Sequence, residues 1–583
     1  MNLVKNSENI NQLWANLIIE ELLRLGIEYF CISPGSRSTP LTVAVARHEK
    51  AQSKIIYDER SAAFHAMGYA RATRRPAVLI CTSGTAVANY YPAVIEASAD
   101  NLPLIVLSAD RPPELRESGA NQAINQQSIF GIYPRWFFDM PCPDESLATR
   151  FILSNIDYAF QQATGINAGP VHLNCMFREP LAPEKVEISE TYLAQSNEWL
   201  QSGGPLTTIA KSTFTMADSV LDDISHFLKE APAGIILAGR EEDISEADSI
   251  LKLSEKLNWP VFADITSGLR LHEHSNIIHY FDQLLLSEKL QINLSRLPIF
   301  HIGGQLVSKR LLKLLESHIG PCIHFSRFSK RIDPLHKVTM RVQTSAKNLN
   351  ESIHELPKSR QDGVLVDELR HFENKVVEVI STFSQKKNLS EIDIARNVIN
   401  EIENDSCLFL ASSMPVRDFD MYAGTTEKIV YIGSNRGASG IDGTIASALG
   451  FAAGHRKPLT LVIGDLAFIH DMNSLALLQN FSYPVKIILI NNQGGGIFSF
   501  LPIAEHQDVF EKFFGTPHSF TFKNAASLFG IDYSSPSTND EFIQSYNNAA
   551  KNSSHWLIEV RTDRNKNFLL HKNLQQQIRD ILP

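Results

Sequence analysis

TLVIGDLAFIHDMNSLALLQNFSYPVKIILINNQGGGIFSF, residues 460–500, holds two short apolar runs, TLVIGD and VKIILINN, each stopped by polar side chains. Compact apolar runs closed in this way are the pattern of strands buried on both faces of a parallel sheet. Asp465 and Asn492 then stand at the carboxyl ends of two strands, where open parallel sheets take their ligands. A carboxylate and a carboxamide oxygen placed there suit a hard divalent cation such as Mg²⁺. The Gln-Gly-Gly-Gly that follows Asn492 lets the backbone turn sharply and approach a ligand closely. Its carbonyls can add a ligand, and its N–H groups can face phosphate oxygens. The same Asp and Asn would serve equally as caps of the helix and turn that follow.

Outward from this stretch the same grammar repeats. The first third gives a helical NQLWANLIIEELLRLG and then EYFCIS, KIIYDE, PAVLICTSG, PLIVLSAD and PVHLNC. The middle third gives AGIILAG, PVFADITSG, PIFHIGG and CIHFS, and the last SCLFLASS, KIVYIGS and HWLIEVRTD around the opening stretch. At 583 residues the chain is too long for one core. The expected fold is α/β, with three domains in series, each a mostly parallel sheet covered by helices. Their expected bounds are 1–185, 205–350 and 370–583. Residues 182–207, which include a GGP turn, and the polar residues 346–363 read as linkers.

Composition narrows the function class. Lys and Arg number 54 against 64 Asp and Glu, a net charge of −10. That balance argues against a general nucleic-acid or membrane-surface binder and leaves room for a local basic pocket. The first residues, MNLVKNSENINQLW, lack the apolar core of a signal peptide, and no apolar run reaches the length of a membrane span. The six cysteines form no CxxC pair and several lie in apolar runs, so reduced core cysteines in a cytoplasmic protein are expected.

After Gly464-Asp465 and Leu466, 24 residues precede Asn491-Asn492. This spacing resembles the GDG…NN signature of thiamine-diphosphate enzymes, although Leu466 stands where the motif has glycine. The resemblance implies Asp465, Asn492 and the carbonyl of Gly494 as ligands of Mg²⁺, with Mn²⁺ as a substitute. A second feature lies in KIIYDERSAAFHAMGYARATRR, where Glu59 follows an apolar run and opens an Ala-rich helix. It resembles the activating glutamate of these enzymes. A carboxyl there hydrogen-bonds the aminopyrimidine ring of the cofactor and so promotes loss of the thiazolium C2 proton, and partial burial helps it hold its own proton. A first-turn glutamate stabilised by the helix dipole would look the same in isolation. NRGASGIDGTIASALGFAAG, residues 435–454, resembles the turn that props the cofactor, with Ile441 as the apolar wedge and the Ser439 carbonyl receiving the amino group. Gly/Ala-rich stretches also serve close helix packing.

SPGSRSTPL, DERSAAFHAMG, SADRPPELRESGANQAI, SNRGASGIDG, GDLAFIHDMNSL and NNQGGGIFSFLP together resemble the family of menaquinone-pathway 2-succinyl-5-enolpyruvyl-6-hydroxy-3-cyclohexene-1-carboxylate synthases. GDL is usual in that family. The resemblance implies decarboxylation of 2-oxoglutarate and 1,4-addition to isochorismate, both dicarboxylates. Arg37, Arg111, Arg417 and Arg436 are the matching cations, because a guanidinium fork binds carboxylates bidentately. Ser36, Asn121 and Gln122 add neutral donors, Lys309 is a middle-domain cation, and Phe498 and Leu501 give an apolar wall. Each arginine taken singly reads more readily as a surface or structural ion pair. A homodimer or homotetramer with the active site between subunits is implied as well. Other thiamine-diphosphate enzymes, such as acetohydroxyacid synthases and 2-oxo acid decarboxylases, are not expected to carry SPGSRS or GANQAI. Fold alone would also accommodate a non-catalytic scaffold of doubly wound domains.

Overall fold

The structure, a computed structural model, describes residues 3–210, 214–231, 233–241, 244–353, 363–383, 389–552 and 554–583. Three parallel sheets follow one another along the chain, as the strand runs lead one to expect. The first contains β1 (Tyr29–Ile32), β2 (Gln52–Ile55), β3 (Ala77–Cys81), β4 (Leu104–Asp110), β5 (Trp136–Met140) and β6 (Pro170–Met176), in the order β2-β1-β3-β4-β6-β5. The second contains β7 (Ile235–Ala238), β8 (Val261–Ala263), β9 (Ile299–Ile302), β10 (Cys322–Phe325) and β11 (Met340–Val342), in the order β11-β10-β9-β7-β8. The third contains β12 (Ser406–Leu410), β13 (Val430–Gly433), β14 (Leu459–Gly464), β15 (Val485–Asn491), β16 (Asp532–Ser534) and β17 (Trp556–Arg561), in the order β13-β12-β14-β15-β17-β16.

Side chains alternate along the central strands of the first sheet. Phe30, Ile32, Val78 and Ile80 enter one core, while Tyr29, Cys31, Leu79 and Cys81 enter the other. Burial on both faces explains why these strands read as unbroken apolar runs. β5, β11 and β16 escape that pattern, and each is an edge strand paired on one side only. β11 and β16 span three residues, too few to show a period.

The stretch 182–207 is not the slack linker expected. It carries short helices, Glu190–Ala194 and Asn197–Ser202, that strap onto the first core. Trp14 Nε1 donates to Tyr192 Oη at 2.9 Å, Trp199 Nε1 donates to Glu21 Oε2 at 2.8 Å, and Arg24 lies 3.9 Å over the Trp199 ring. Of the second linker stretch, residues 346–352 form a helix, and 354–362 lie outside the described residues.

The chain divides into two compact units. One comprises Met1–Ser212, Asn435–Arg456 and His470–Asn480; the other comprises Thr213–Ser434, Lys457–Ile469 and Phe481–Pro583. Within the first unit, helix Glu59–Thr73 packs directly on helix Thr444–His455. Glycines make the approach possible: a Cβ on Gly68 would stand 2.0 Å from the Ser447 carbonyl oxygen, and one on Gly450 would stand 1.9 Å from that of His65. A Cβ on Gly443 would meet the Phe64 ring at 1.9 Å. Contacts advance together along both helices, so they run parallel with their N-termini at one end. The second helix has Gly443 before it, which cannot cap. Asp471 supplies the cap instead, its Oδ2 accepting the N–H groups of Ile445 and Ala446 at 2.7 and 3.0 Å. Gly450→Ala is expected to lower stability by about 1–3 kcal/mol through overpacking against backbone. Urea denaturation measures this, with Gly204→Ala, where a Cβ meets nothing within 4 Å, as the silent comparison.

Candidate active site

In the first unit the loops after β1, β3 and β4 converge at the carboxyl edge of the sheet. A Cβ on Gly35 would stand 2.2 Å from that of Thr82, so the SPGSRS loop lies directly on the end of β3. The Arg37 amide donates to Thr82 Oγ1 at 3.3 Å, and its guanidinium donates to the Phe177 carbonyl at 2.9 Å and lies 3.4 Å from Glu179. Arg111 donates to Ser83 Oγ at 2.6 Å and to the Asn121 carbonyl at 2.8 Å. Gln122 lies against Gly84. Burial, with the charge of Arg111 adding to it, holds the Arg37 guanidinium below its ordinary pKa. The structure thus brings Arg37, Arg111, Asn121 and Gln122 to one edge, with Ser36 exposed beside them.

Glu59 is the first residue of its helix and half-buried. The capping role belongs to its neighbour, Asp58, whose side chain accepts from the Ser61 amide at 3.2 Å. Among the described residues Glu59 has no hydrogen-bond partner, and its charge adds to the burial that pushes the Cys81 thiol up.

The 436–443 turn is gripped by Glu96. Its carboxylate accepts the N–H groups of Gly437 at 2.7 Å, Ala438 at 2.5 Å and Ser439 at 3.2 Å. Ser439 sits at φ +62°, and Ile441 projects an apolar side chain that is 39% exposed. Arg436 is half-buried on the same turn. Two histidines of the matched stretches, His65 and His470, lie in the same unit. The first is a core histidine bonded to Tyr29 Oη at 2.9 Å and held down to about 3 by burial. The second accepts from Arg60 through its carbonyl at 2.8 Å.

In the second unit β14 and β15 are neighbours, with Gly464 level with Ile490. Asp465 and the Asn491–Asn492 pair therefore emerge side by side. The two asparagines divide their tasks. Asn491 is structural, its Nδ2 donating to Glu559 at 2.7 Å and to the Phe520 carbonyl at 3.0 Å. Asn492 donates Nδ2 to Glu391 Oε1 at 3.3 Å, while its buried Oδ1 has no partner among the described residues. Asp465 accepts from the Leu466 amide at 2.7 Å and the Gly494 amide at 3.0 Å, and His518 Nε2 lies 3.2 Å away. Burial raises the Asp465 pKa, and those amides and His518 oppose the rise. Gly494 sits at φ +145°, and a Cβ there would lie 2.1 Å from the Gly515 carbonyl oxygen, so no other residue fits. Phe498 meets Phe514 edge-on at 5.7 Å, and Leu501 is 37% exposed. Arg417, on helix Met414–Tyr422 beyond β12, donates to the Ser413 carbonyl. Lys309 is exposed at the start of helix Lys309–Ser317, beyond β9.

Glu391, Thr562, Glu96 and Asp471 were not anticipated from the sequence. Glu391 and Glu96 occupy ordinary helical positions, and nothing local signals that either would be buried against a distant backbone or amide.

Three family models match the chain. They are the N-terminal binding domain of thiamine pyrophosphate enzymes over residues 14–129, their middle domain over 190–410 and their C-terminal binding domain over 420–560. Among curated relatives, proteins named 2-succinyl-5-enolpyruvyl-6-hydroxy-3-cyclohexene-1-carboxylate synthase are similar over almost the whole length. The one from Prosthecochloris aestuarii is 44% identical, with 99% of each chain covered. That from Chlorobium limicola is 43% identical over 98% of each chain. That from Rubrobacter xylanophilus is 41% identical over 97% of this chain and 98% of its own. The chain belongs to this family of thiamine pyrophosphate enzymes.

The residues present fit the cofactor of these enzymes. Among the described residues the Glu59 carboxyl has no hydrogen-bond partner, and the Asn492 Oδ1 acceptor has no donor. Among the described residues no three His, Cys, Asp or Glu side chains cluster to hold a metal. A set of one carboxylate, one amide oxygen and one backbone carbonyl does not call for such a cluster.

Asp471 gives this family member a measurable pH signature. It is fully buried, also accepts from Ser474 Oγ at 2.8 Å, and burial pushes its pKa up to about 6. A carboxyl whose pKa rises on folding binds its proton more tightly in the folded state. Its stabilising contribution is therefore present at low pH and lost as pH rises from about 4 to 6. Between about pH 4.5 and 7 the protein should lose about 2 kcal/mol relative to Asp471→Asn, read as the change in urea midpoint.

Proposed function

We propose that this chain catalyses decarboxylation of 2-oxoglutarate and 1,4-addition of the remaining succinyl unit to isochorismate, forming 2-succinyl-5-enolpyruvyl-6-hydroxy-3-cyclohexene-1-carboxylate in menaquinone biosynthesis. The observation that carries it is the pair of guanidiniums, Arg37 and Arg111, held together at one sheet edge of a protein with net charge −10. Placing two cations there opposes their mutual repulsion, and a dicarboxylate substrate relieves it. The names borne by the relatives agree with this reading.

When bound, thiamine diphosphate supplies a carbon nucleophile for the 2-oxo group and accepts the electron pair released with CO₂. Glu59 holds and returns the proton shared with the aminopyrimidine ring. The Ser439 carbonyl would take the cofactor's amino group, and Ile441 would pack against it. Asp465, Asn492 and the Gly494 carbonyl would hold Mg²⁺, or Mn²⁺ in its place. Arg37 and Arg111, with Ser36, Asn121 and Gln122, bind and orient substrate carboxylates. Arg417, Arg436 and Lys309 supply further positive charge, while Phe498 and Leu501 exclude water from the reacting carbon.

In this scheme residues 1–185 take the pyrimidine, 205–350 form the central domain and 370–583 take the diphosphate. The active site lies between subunits of a homodimer or homotetramer. The protein works in the cytoplasm on small molecules, without nucleic acid. All six cysteines are free and buried, in keeping with a reducing compartment, and no described helix is long and apolar enough to cross a membrane.

Product analysis with each component omitted in turn tests the reaction. The product should require both substrates, thiamine diphosphate and the cation; turnover that ignores isochorismate would point to another thiamine-diphosphate enzyme. Glu59→Gln should lower kcat by about 10²–10⁴-fold while thiamine diphosphate plus Mg²⁺ still raises the melting temperature. A fully active variant would remove Glu59 from the mechanism.

A further inference from the structure

We infer that Glu391 is a positioning residue that fixes the amide of Asn492 with its oxygen toward the cation, an inference that rests on the cation site proposed above. Glu391 is the first residue of helix Glu391–Glu401 and only 1% exposed. It does not cap the helix, because Ser390 and Asp393 form a reciprocal capping box. Its Oε1 instead accepts from Thr562 Oγ1 at 2.7 Å and from Asn492 Nδ2 at 3.3 Å. Thr562 is itself fixed, for its amide donates to the Asn491 carbonyl at 3.0 Å where β15 and β17 end side by side. A helix start and two strand ends thus meet on one carboxylate oxygen.

An asparagine side chain has a donor end and an acceptor end, and rotation about its last bond exchanges them. Turned one way, Asn492 offers a cation its oxygen; turned the other, it offers two N–H groups that repel the cation. Oε1 of Glu391, which also accepts from Thr562 Oγ1, presents an acceptor to Asn492, so it favours the NH₂ end of the amide and disfavours the oxygen end. Oδ1 is then left buried and unbonded, facing away from Glu391. Outer partners of this kind orient metal ligands, and their loss typically costs about 10–100-fold in metal affinity.

Mn²⁺ binding to the purified protein with saturating thiamine diphosphate, followed by electron paramagnetic resonance, tests this. Glu391→Ala should bind Mn²⁺ about 10–100-fold more weakly. Glu391→Gln, which keeps an acceptor at Oε1, should recover most of the loss. High Mn²⁺ should restore turnover in Glu391→Ala, which a general packing defect would not allow. If Glu391→Ala does not fold, Thr562→Val decides instead, with an expected loss of about threefold or more. Wild-type Mn²⁺ affinity in Glu391→Ala, or in Thr562→Val where that variant decides, overturns the inference, provided Asn492→Leu has lost the ion. Undiminished Mn²⁺ binding in Asn492→Leu overturns the cation site itself.

Discussion

Two helices of the first unit touch backbone to backbone, and much of the candidate site depends on that contact. Gly68 and Gly450 let helix Glu59–Thr73 and helix Thr444–His455 meet with no side chains between them at those points, and Gly443 leaves room for the Phe64 ring. Because the pair runs parallel, Glu59 at the start of one helix and the 436–443 turn before the other lie at the same end. A larger residue at any of these glycines would meet carbonyl oxygens or a buried ring, neither of which can move away cheaply. Two carboxylates hold the arrangement: Asp471 caps the second helix and Glu96 takes three consecutive amides of the turn. With those interactions made within the protein, Glu59 and Ile441 keep a free carboxyl and a projecting apolar side chain.

Charge is distributed on the same logic. The chain is acidic as a whole, yet the edge of the first sheet gathers Arg37 and Arg111. Arg111 is anchored through Ser83 and the Asn121 carbonyl, and neither contact neutralises it. Arg37 lies 3.4 Å from Glu179, whose side chain is largely exposed and therefore screened, and it also feels the buried Asp110. Hydrogen bonds that orient a guanidinium without cancelling its charge leave it able to attract a dianion.

The interior of each sheet was legible from sequence because strands buried on both faces must be apolar throughout. β5, β11 and β16 were not, although the other edge strands β2, β8 and β13 were: β5 is only half-buried over most of its length, and β11 (Met-Arg-Val) and β16 (Asp-Tyr-Ser) are too short and polar to show an apolar run. Residues 182–207 misled for a related reason: two short helices anchored by single residues, Tyr192 and Trp199, show no period. Glu59, Asp465 and Asn492 could be singled out as candidates because each follows an apolar run in a recognisable local motif, and the structure places each just beyond a strand. Glu391, Glu96, Thr562 and Asp471 could not, because their work is done on backbone or side chains far away in the chain. Of the asparagine pair, sequence selected the second on resemblance; in the structure Asn491 Oδ1 accepts from the Gln493 amide at 3.2 Å, while Asn492 Oδ1 has no partner among the described residues.

Burial around the second-unit strand ends carries a cost that explains its composition. Glu391, Asp418 and Asp465 are all buried, all have raised pKa values, and influence one another in sequence: Asp465 acts on Glu391, and Glu391 acts on Asp418. Near Asp418 stand His571, at 3.5 Å and held neutral by burial, and Arg417, whose charge opposes the rise without cancelling it. Like charges gathered in a poorly solvated place destabilise the protein alone, and packed apolar residues would serve folding better. Such a cluster makes physical sense where a bound cation offsets the repulsion. On that view, strand ends and glycines would set the position of the proposed cation site, and the acidity behind it would strengthen its hold on the ion.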